Sequence, residues 1–158
     1  MHGRIFVIDT NNLIQIRGGE LYEPPWEPWE IKDWIPGCDY VVHKPEMFEE
    51  DCQWFKQSYH LDNHCSFIKH NVFEVAVEPI LSALEGEKRR RLDLIRNELA
   101  KDNPDMWEIK HLAWDSGFWF IIWDGSFGPE MDFLERLQIA RKEGLERLLI
   151  VRSYDYHF

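Results

Sequence analysis

Three widely separated stretches of this chain each carry a hydrophobic, strand-like run up to a carboxylate or into a helix that holds one. The first runs from Arg4 through Ile5, Phe6, Val7 and Ile8 to Asp9, Thr10 and Asn11. The second is Tyr40-Val41-Val42-His43, leading through Pro45 to Glu49, Glu50 and Asp51, and the third is Leu148 to Val151, ending at Ser153-Tyr154-Asp155. β-Branched and aromatic side chains favour a pleated, buried surface, so these runs read as strands. In an open α/β sheet ligands bind where strand ends and helix starts converge. Carboxylates gathered at such a rim repel one another, and a divalent cation is the natural way to hold them.

Between these runs the elements alternate. Residues 10–17 read as a short helix capped by Thr10 or Asn11 and stopped by Gly18-Gly19, or as the return strand of a hairpin, with the helix preferred. Residues 20–36 hold four prolines and three tryptophans and read as ordered turns. Pro45 suits a first helical position, and Met47, Phe48, Cys52 and Phe55 then share one helix side. Residues 72–84 and 87–101 read as two helices broken near Gly86. Phe118 to Trp123 is the most hydrophobic run and reads as a central strand. Residues 130–143 read as an amphipathic helix with Met131, Leu134, Leu137 and Ala140 inward and Gly144 as its stop. This order suits one domain over 1–158, of α/β class, with a mainly parallel sheet flanked by helices; an α+β fold with an N-terminal hairpin is the alternative.

At 158 residues the chain is long enough to bury about two-thirds of its unfolded surface. Three cysteines, Cys38, Cys52 and Cys65, are too few and too irregular for a disulfide framework. With no signal peptide at the N-terminus and no apolar run near the ~20 residues of a membrane span, they point to a reducing cytoplasm. The formal net charge of −11 opposes broad electrostatic binding of nucleic acid. The run Lys88-Arg89-Arg90-Arg91 is the one basic patch, and a solvated helix face explains it without RNA.

The motifs resemble the PIN domain, the fold of many small metal-dependent ribonucleases that includes toxins of toxin–antitoxin pairs. Asp9-Thr10-Asn11 followed by Leu13-Ile14 is similar to the family's opening strand end. Val41 to Glu50 is similar to its strand, proline and glutamate-bearing helix, with Glu50 the better match and Glu49 the reserve. Asp132, Ala140, Gly144 and Ser153-Tyr154-Asp155 are similar to its third helix and last strand, with Ser in place of Thr. The resemblance implies a three-layer sandwich in which Asp9, Glu50, Asp132 and Asp155 bind Mg²⁺ or Mn²⁺ and are catalytic, with Asn11 and Ser153 orienting them from behind. A metal-bound water would then attack an RNA phosphodiester. Asp9→Asn is expected to abolish activity and leave the melting temperature nearly unchanged. The gap between the second and third acids and the Pro/Trp-rich loop depart from the family. So does the end at Phe158, where most members add a strand, and a PIN-like scaffold without catalysis is therefore a further reading.

Each acid has a plainer explanation. Asp9 and Asp124 suit turns or caps, with Asp124 a reserve ligand; Glu49, Glu50, Asp51 and Asp132 suit the positive end of a helix. His60, His64, Cys65 and His70 offer metal-capable groups, but without paired Cys-x-x-Cys spacing they read as surface residues. The competing function is a non-enzymatic acidic binding protein, an immunity- or antitoxin-type inhibitor whose carboxylates and tryptophans engage a basic partner. A homodimer is a further expectation for its partners.

Overall fold

The computed structural model describes residues 2–114 and 117–157. Its strands are β1 (His2–Thr10), β2 (Tyr40–Val42), β3 (Cys65–Lys69), β4 (Val72–Ala76), β5 (Phe118–Ile121), β6 (Phe127–Pro129) and β7 (Arg147–His157). Its helices are α1 (Asn11–Ile16), α2 (Pro28–Lys32), α3 (Phe48–Ser58), α4 (Val77–Leu99), α5 (Met106–Trp114) and α6 (Glu130–Lys142), and one 3₁₀ turn at Pro45–Met47 leads into α3.

The strands form one open seven-stranded mixed sheet in the order β3-β4-β7-β1-β5-β6, with β2 also on β7. The α/β class is as expected, but the mainly parallel sheet is not. Only β1–β5 is a parallel pair among the described residues; β7 runs antiparallel to β1, β2 and β4, and the β3–β4 and β5–β6 hairpins are antiparallel too. The physical reason is that an apolar run reports burial, not direction. β7 is entered from the end of α6 at the edge where β1 finishes, so Thr10 pairs with Leu148 and His2 with His157.

Alternation along β1 sorts the core into two layers. Phe6 and Ile8 face α3, α4 and α6 together with Phe120, Leu148 and Ile150, and Phe55, Ile80, Leu81, Phe133 and Leu137 close that layer. Ile5 and Val7 face the opposite way, where Ile31, Ile35 and Cys38 cover them with Trp119, Tyr154 and Tyr156. The Pro/Trp-rich segment is therefore a covering layer, with Trp26 and Trp34 edge-to-face at 4.9 Å. Gly3 is required opposite Tyr156, because a Cβ there would lie 2.4 Å from the phenol ring.

Several local expectations need correction. Residues 72–76 are strand β4, which passes directly into α4 without a breaker; α4 then continues through Gly86 as one 23-residue helix. Glycine costs a helix about 1 kcal/mol relative to alanine, too little to break one packed along its length. The 10–16 helix does form, with Thr10 Oγ1 accepting from the Leu13 amide. Among the described residues no helix is long and apolar enough to cross a membrane.

Candidate functional site

The four carboxylates of the expected metal site do not converge. Asp155 lies opposite Arg4 on the β1–β7 ladder, and directly opposed residues share a face of the sheet. Asp9 is five residues further along β1, an odd number, so its side chain leaves by the other face. At ~3.3 Å per residue the two lie ~17 Å apart along the strands. Glu50 and Asp132 are exposed on α3 and α6.

The two buried acids are also already committed. Asp9 is fully buried and accepts from Arg17 at 2.6 Å, from the Tyr22 amide at 2.5 Å and from the Thr10 amide at 2.8 Å. Asp155 is held by Arg4 at 2.6 Å, His2 at 3.2 Å and Lys44 at 3.2 Å. Among the described residues no group of three or more His, Cys, Asp and Glu side chains is placed to hold a metal ion, His60, His64, Cys65 and His70 included. This donor set does not fit a shared Mg²⁺ or Mn²⁺. Asn11 reaches Glu74 at 3.4 Å and Ser153 donates to Asp51 at 2.6 Å, so neither supports a metal ligand. Asp124 forms the turn expected of it, accepting from the Ser126 amide at 2.9 Å before Gly125 at φ +83°.

Asp51, one position beyond Glu50, is the acid that α3 buries. It sits on the same helix side as Phe48, Cys52 and Phe55, and accepts from Arg4 Nε at 2.5 Å. Arg4 thus bridges Asp51 and Asp155 while its guanidinium lies 5.3 Å from the Trp54 ring. Burial alone would raise the Asp155 carboxyl, but Lys44, Arg4 and His2 outweigh it and hold it below the ordinary value. A second buried carboxylate, Glu130, opens α6. It accepts from the Tyr59 hydroxyl and from Arg91 at 2.8 Å, yet burial pushes its carboxyl above the ordinary range against both partners.

The cleft with free carboxylates lies elsewhere, at a break in the sheet. β4 pairs with β7 as far as Phe73 opposite Ile150, and β2 resumes on the same edge with Val42 opposite Asp155. Both run antiparallel to β7, so they form one interrupted strand whose interruption is residues 43–71. Over residues 151–154 the edge of β7 therefore meets no strand, and the His43 ring contacts the Ser153 carbonyl there at 3.0 Å. A cleft of about 270 Å³ opens at this break. Its walls include Glu23 from the covering layer, Glu46 from the 3₁₀ turn before α3, Glu49 from the first turn of α3, His43 and His70, and Arg152 from β7.

Arg152 reaches Glu23 at 3.5 Å, whereas Glu46 and Glu49 have no ion-pair partner among the described residues. The apolar floor comes from Leu21, Tyr22 and Phe48. Asp9 shapes this cleft from beneath, since it fixes Tyr22 through the backbone and Arg17, whose guanidinium lies 5.1 Å from the Tyr22 ring. Of the expected site residues only the reserve Glu49 lines the cleft. Glu23 and Glu46 were missed because the break that gathers them comes from strand pairing, which no local motif announces. Asp51 did carry a signal: the spacing of Phe48, Cys52 and Phe55 puts it on the buried side of α3.

The covering layer extends the negative surface. Residues 20–39 contain Glu20, Glu23, Glu27, Glu30, Asp33 and Asp39 against the single cation Lys32, giving −5 of the chain's −11. Trp29 stands 68% exposed within it, on α2, whose first turn is closed by the Glu27–Glu30 capping box. Comparison with family models, curated proteins and solved structures finds no match to the chain.

Proposed function

We propose that this chain is a non-catalytic acidic binding protein that docks a basic protein surface, in the manner of an immunity- or antitoxin-type inhibitor. The observation that carries this reading is the cleft at the strand break, where Glu46 and Glu49 have no ion-pair partner among the described residues while Arg152 in the same wall reaches Glu23. Unpaired carboxylates beside an apolar floor suit a lysine or arginine side chain, whose alkyl stem covers the floor while its head meets the carboxylates. The −5 layer supplies long-range attraction for such a partner, and exposed Trp29 supplies an aromatic anchor of the type that concentrates binding energy. The same charge repels RNA.

A fluorescent oligo-arginine peptide tests the reading. Binding is expected at low ionic strength, to weaken steeply with salt, and to fall about tenfold in Glu46→Gln/Glu49→Gln. An oligo-glutamate peptide is the control and is expected not to bind. Absence of oligo-arginine binding at low salt, or binding indifferent to both substitutions, contradicts the proposal.

A further inference from the structure

β6 is the outermost strand on its side of the sheet and pairs with β5. Trp119 lies opposite Pro129 and Ile121 opposite Phe127, so Trp119 and Phe127 are diagonal neighbours on one face of the hairpin. Their rings stack 5.1 Å apart and 12° from parallel, and Trp34 of the covering layer meets Phe127 at 5.2 Å and 58°. A cavity of about 310 Å³ opens beside these three rings, between the covering layer, α4 and the start of α6, and its walls also hold Arg91, Glu130 and Asp132. Small-molecule sites occupy about 300–1,000 Å³, so the space suits a compact ligand.

The charged groups in these walls differ in what they already hold. Arg91 donates Nε to Glu87 and Nη2 to Glu130, each at 2.8 Å, and the Tyr59 hydroxyl donates to the other Glu130 oxygen. Asp132 is exposed, and its carboxylate has no hydrogen-bond or ion-pair partner among the described residues. It lies close against β6: a Cβ on Gly128 would come within 2.3 Å of Asp132 Oδ2 and 2.7 Å of its Cβ, so glycine makes the room for it. The remaining wall is mostly apolar. We propose that this cavity binds a quaternary ammonium group. Aromatic rings, tryptophan most strongly, attract a cation held within about 6 Å of their centres, and the Asp132 carboxylate supplies the counter-charge. A lysine ammonium would carry three N–H donors into these mostly apolar walls, and a buried donor without an acceptor is costly. A quaternary nitrogen carries none. The cavity thereby differs from the cleft at the strand break, whose several carboxylates suit an N–H-bearing cation.

Titration of the isotopically labelled chain, read by indole NMR shifts, tests the assignment. Choline and a peptide bearing a trimethyl-lysine are the probes, and the tighter binder names the source of the group. Saturable shifts are expected at the Trp34 and Trp119 indoles. The uncharged carbon isostere of choline is expected to bind about tenfold more weakly, and Asp132→Asn to weaken choline by a similar factor. Because Asp132 is exposed, circular dichroism should show the fold of that variant unchanged. Glu46→Gln/Glu49→Gln is expected to bind choline as the wild type does, which separates this cavity from the cleft at the strand break. Absence of a saturable shift from either probe at millimolar concentration overturns the proposal. So does an isostere that binds equally well, binding indifferent to Asp132→Asn, or binding lost in Glu46→Gln/Glu49→Gln.

Discussion

Arg4 lies between Asp51 and Asp155, with Nε 2.5 Å from Asp51 and Nη1 2.6 Å from Asp155. The bridge joins α3 to β7 across the start of β1 and pins the helix that supplies Glu49 to the cleft, with Glu46 in the 3₁₀ turn leading into it. Ser153 completes it by donating to the second Asp51 oxygen at 2.6 Å. Because Arg4 serves two carboxylates in a mostly buried setting, its removal takes the cation from Asp51, which keeps only the Ser153 hydroxyl, and leaves Asp155 to Lys44 and His2.

Arg4→Met keeps an unbranched apolar side chain and deletes the charged head, which lies 5.3 Å from the Trp54 ring. Breaking a buried pair costs about 3–5 kcal/mol because the remaining charge has no partner. Chemical denaturation of this variant is expected to show a loss in that range; a loss no larger than that of an exposed-charge substitution would mean that the bridge contributes little.

Asp9→Asn distinguishes a structural carboxylate from a catalytic one. The asparagine leaves the Arg17 guanidinium without its counter-charge and weakens the hold on the Tyr22 amide, at a cost of about 2–4 kcal/mol. A clearly lowered Tm is expected. An unchanged Tm is the outcome expected of a metal-binding acid that the fold does not need.

Divalent cations provide a separate check. With Asp9 and Asp155 on opposite faces and Glu50 and Asp132 exposed, no shared coordination sphere rewards the folded state. Millimolar Mn²⁺ or Mg²⁺ is expected to move Tm no further than a monovalent salt of equal ionic strength. A saturable upward shift abolished by Asp9→Asn would revive the four-acid site.

The pH dependence of stability has two components of opposite sign. Asp155 is held below its ordinary value, and Glu87 is held down to about 2 by hydrogen bonds from Arg90 and Arg91 against the effect of burial. Their stabilisation is complete above the unfolded carboxyl values, about 4, and is lost as pH falls through the lower folded values. Glu130 behaves oppositely: its raised folded value means that the folded state binds the proton more tightly. Stability is therefore lost as pH climbs from the ordinary carboxyl value through the raised one. Glu130→Gln removes only this component. Melting curves between about pH 4 and 7 are expected to show Glu130→Gln gaining on the wild type as pH rises. A constant difference, or the reverse trend, would show that Arg91 and Tyr59 fully offset the burial of the charge.

Particular elements show what the amino-acid order reveals. β1, β5 and β7 are legible as apolar runs. So is the inward side of α6, where Leu134, Leu137 and Ala140 are buried as their spacing predicts. The direction of β7 is not legible, because side-chain alternation is identical in parallel and antiparallel strands; that ambiguity placed Asp155 at the wrong end of Asp9. β4 was hidden because Val72 to Ala76 passes into α4 with no turn residue between them, and β6 is only three residues long. Cleft residues gathered by the pairing of distant strands have no local signature at all.

The claim that the free carboxylates at the strand break receive a basic partner is tested most directly by titrating isotopically labelled protein with an oligo-arginine peptide and recording amide and indole NMR shifts. Salt-sensitive perturbations are expected at Glu23, Glu46, Glu49 and Arg152 and at the Trp29 indole, with the amides of β5 and β6 unmoved. Shifts confined to the far side of the sheet, or none at low salt, would contradict the account.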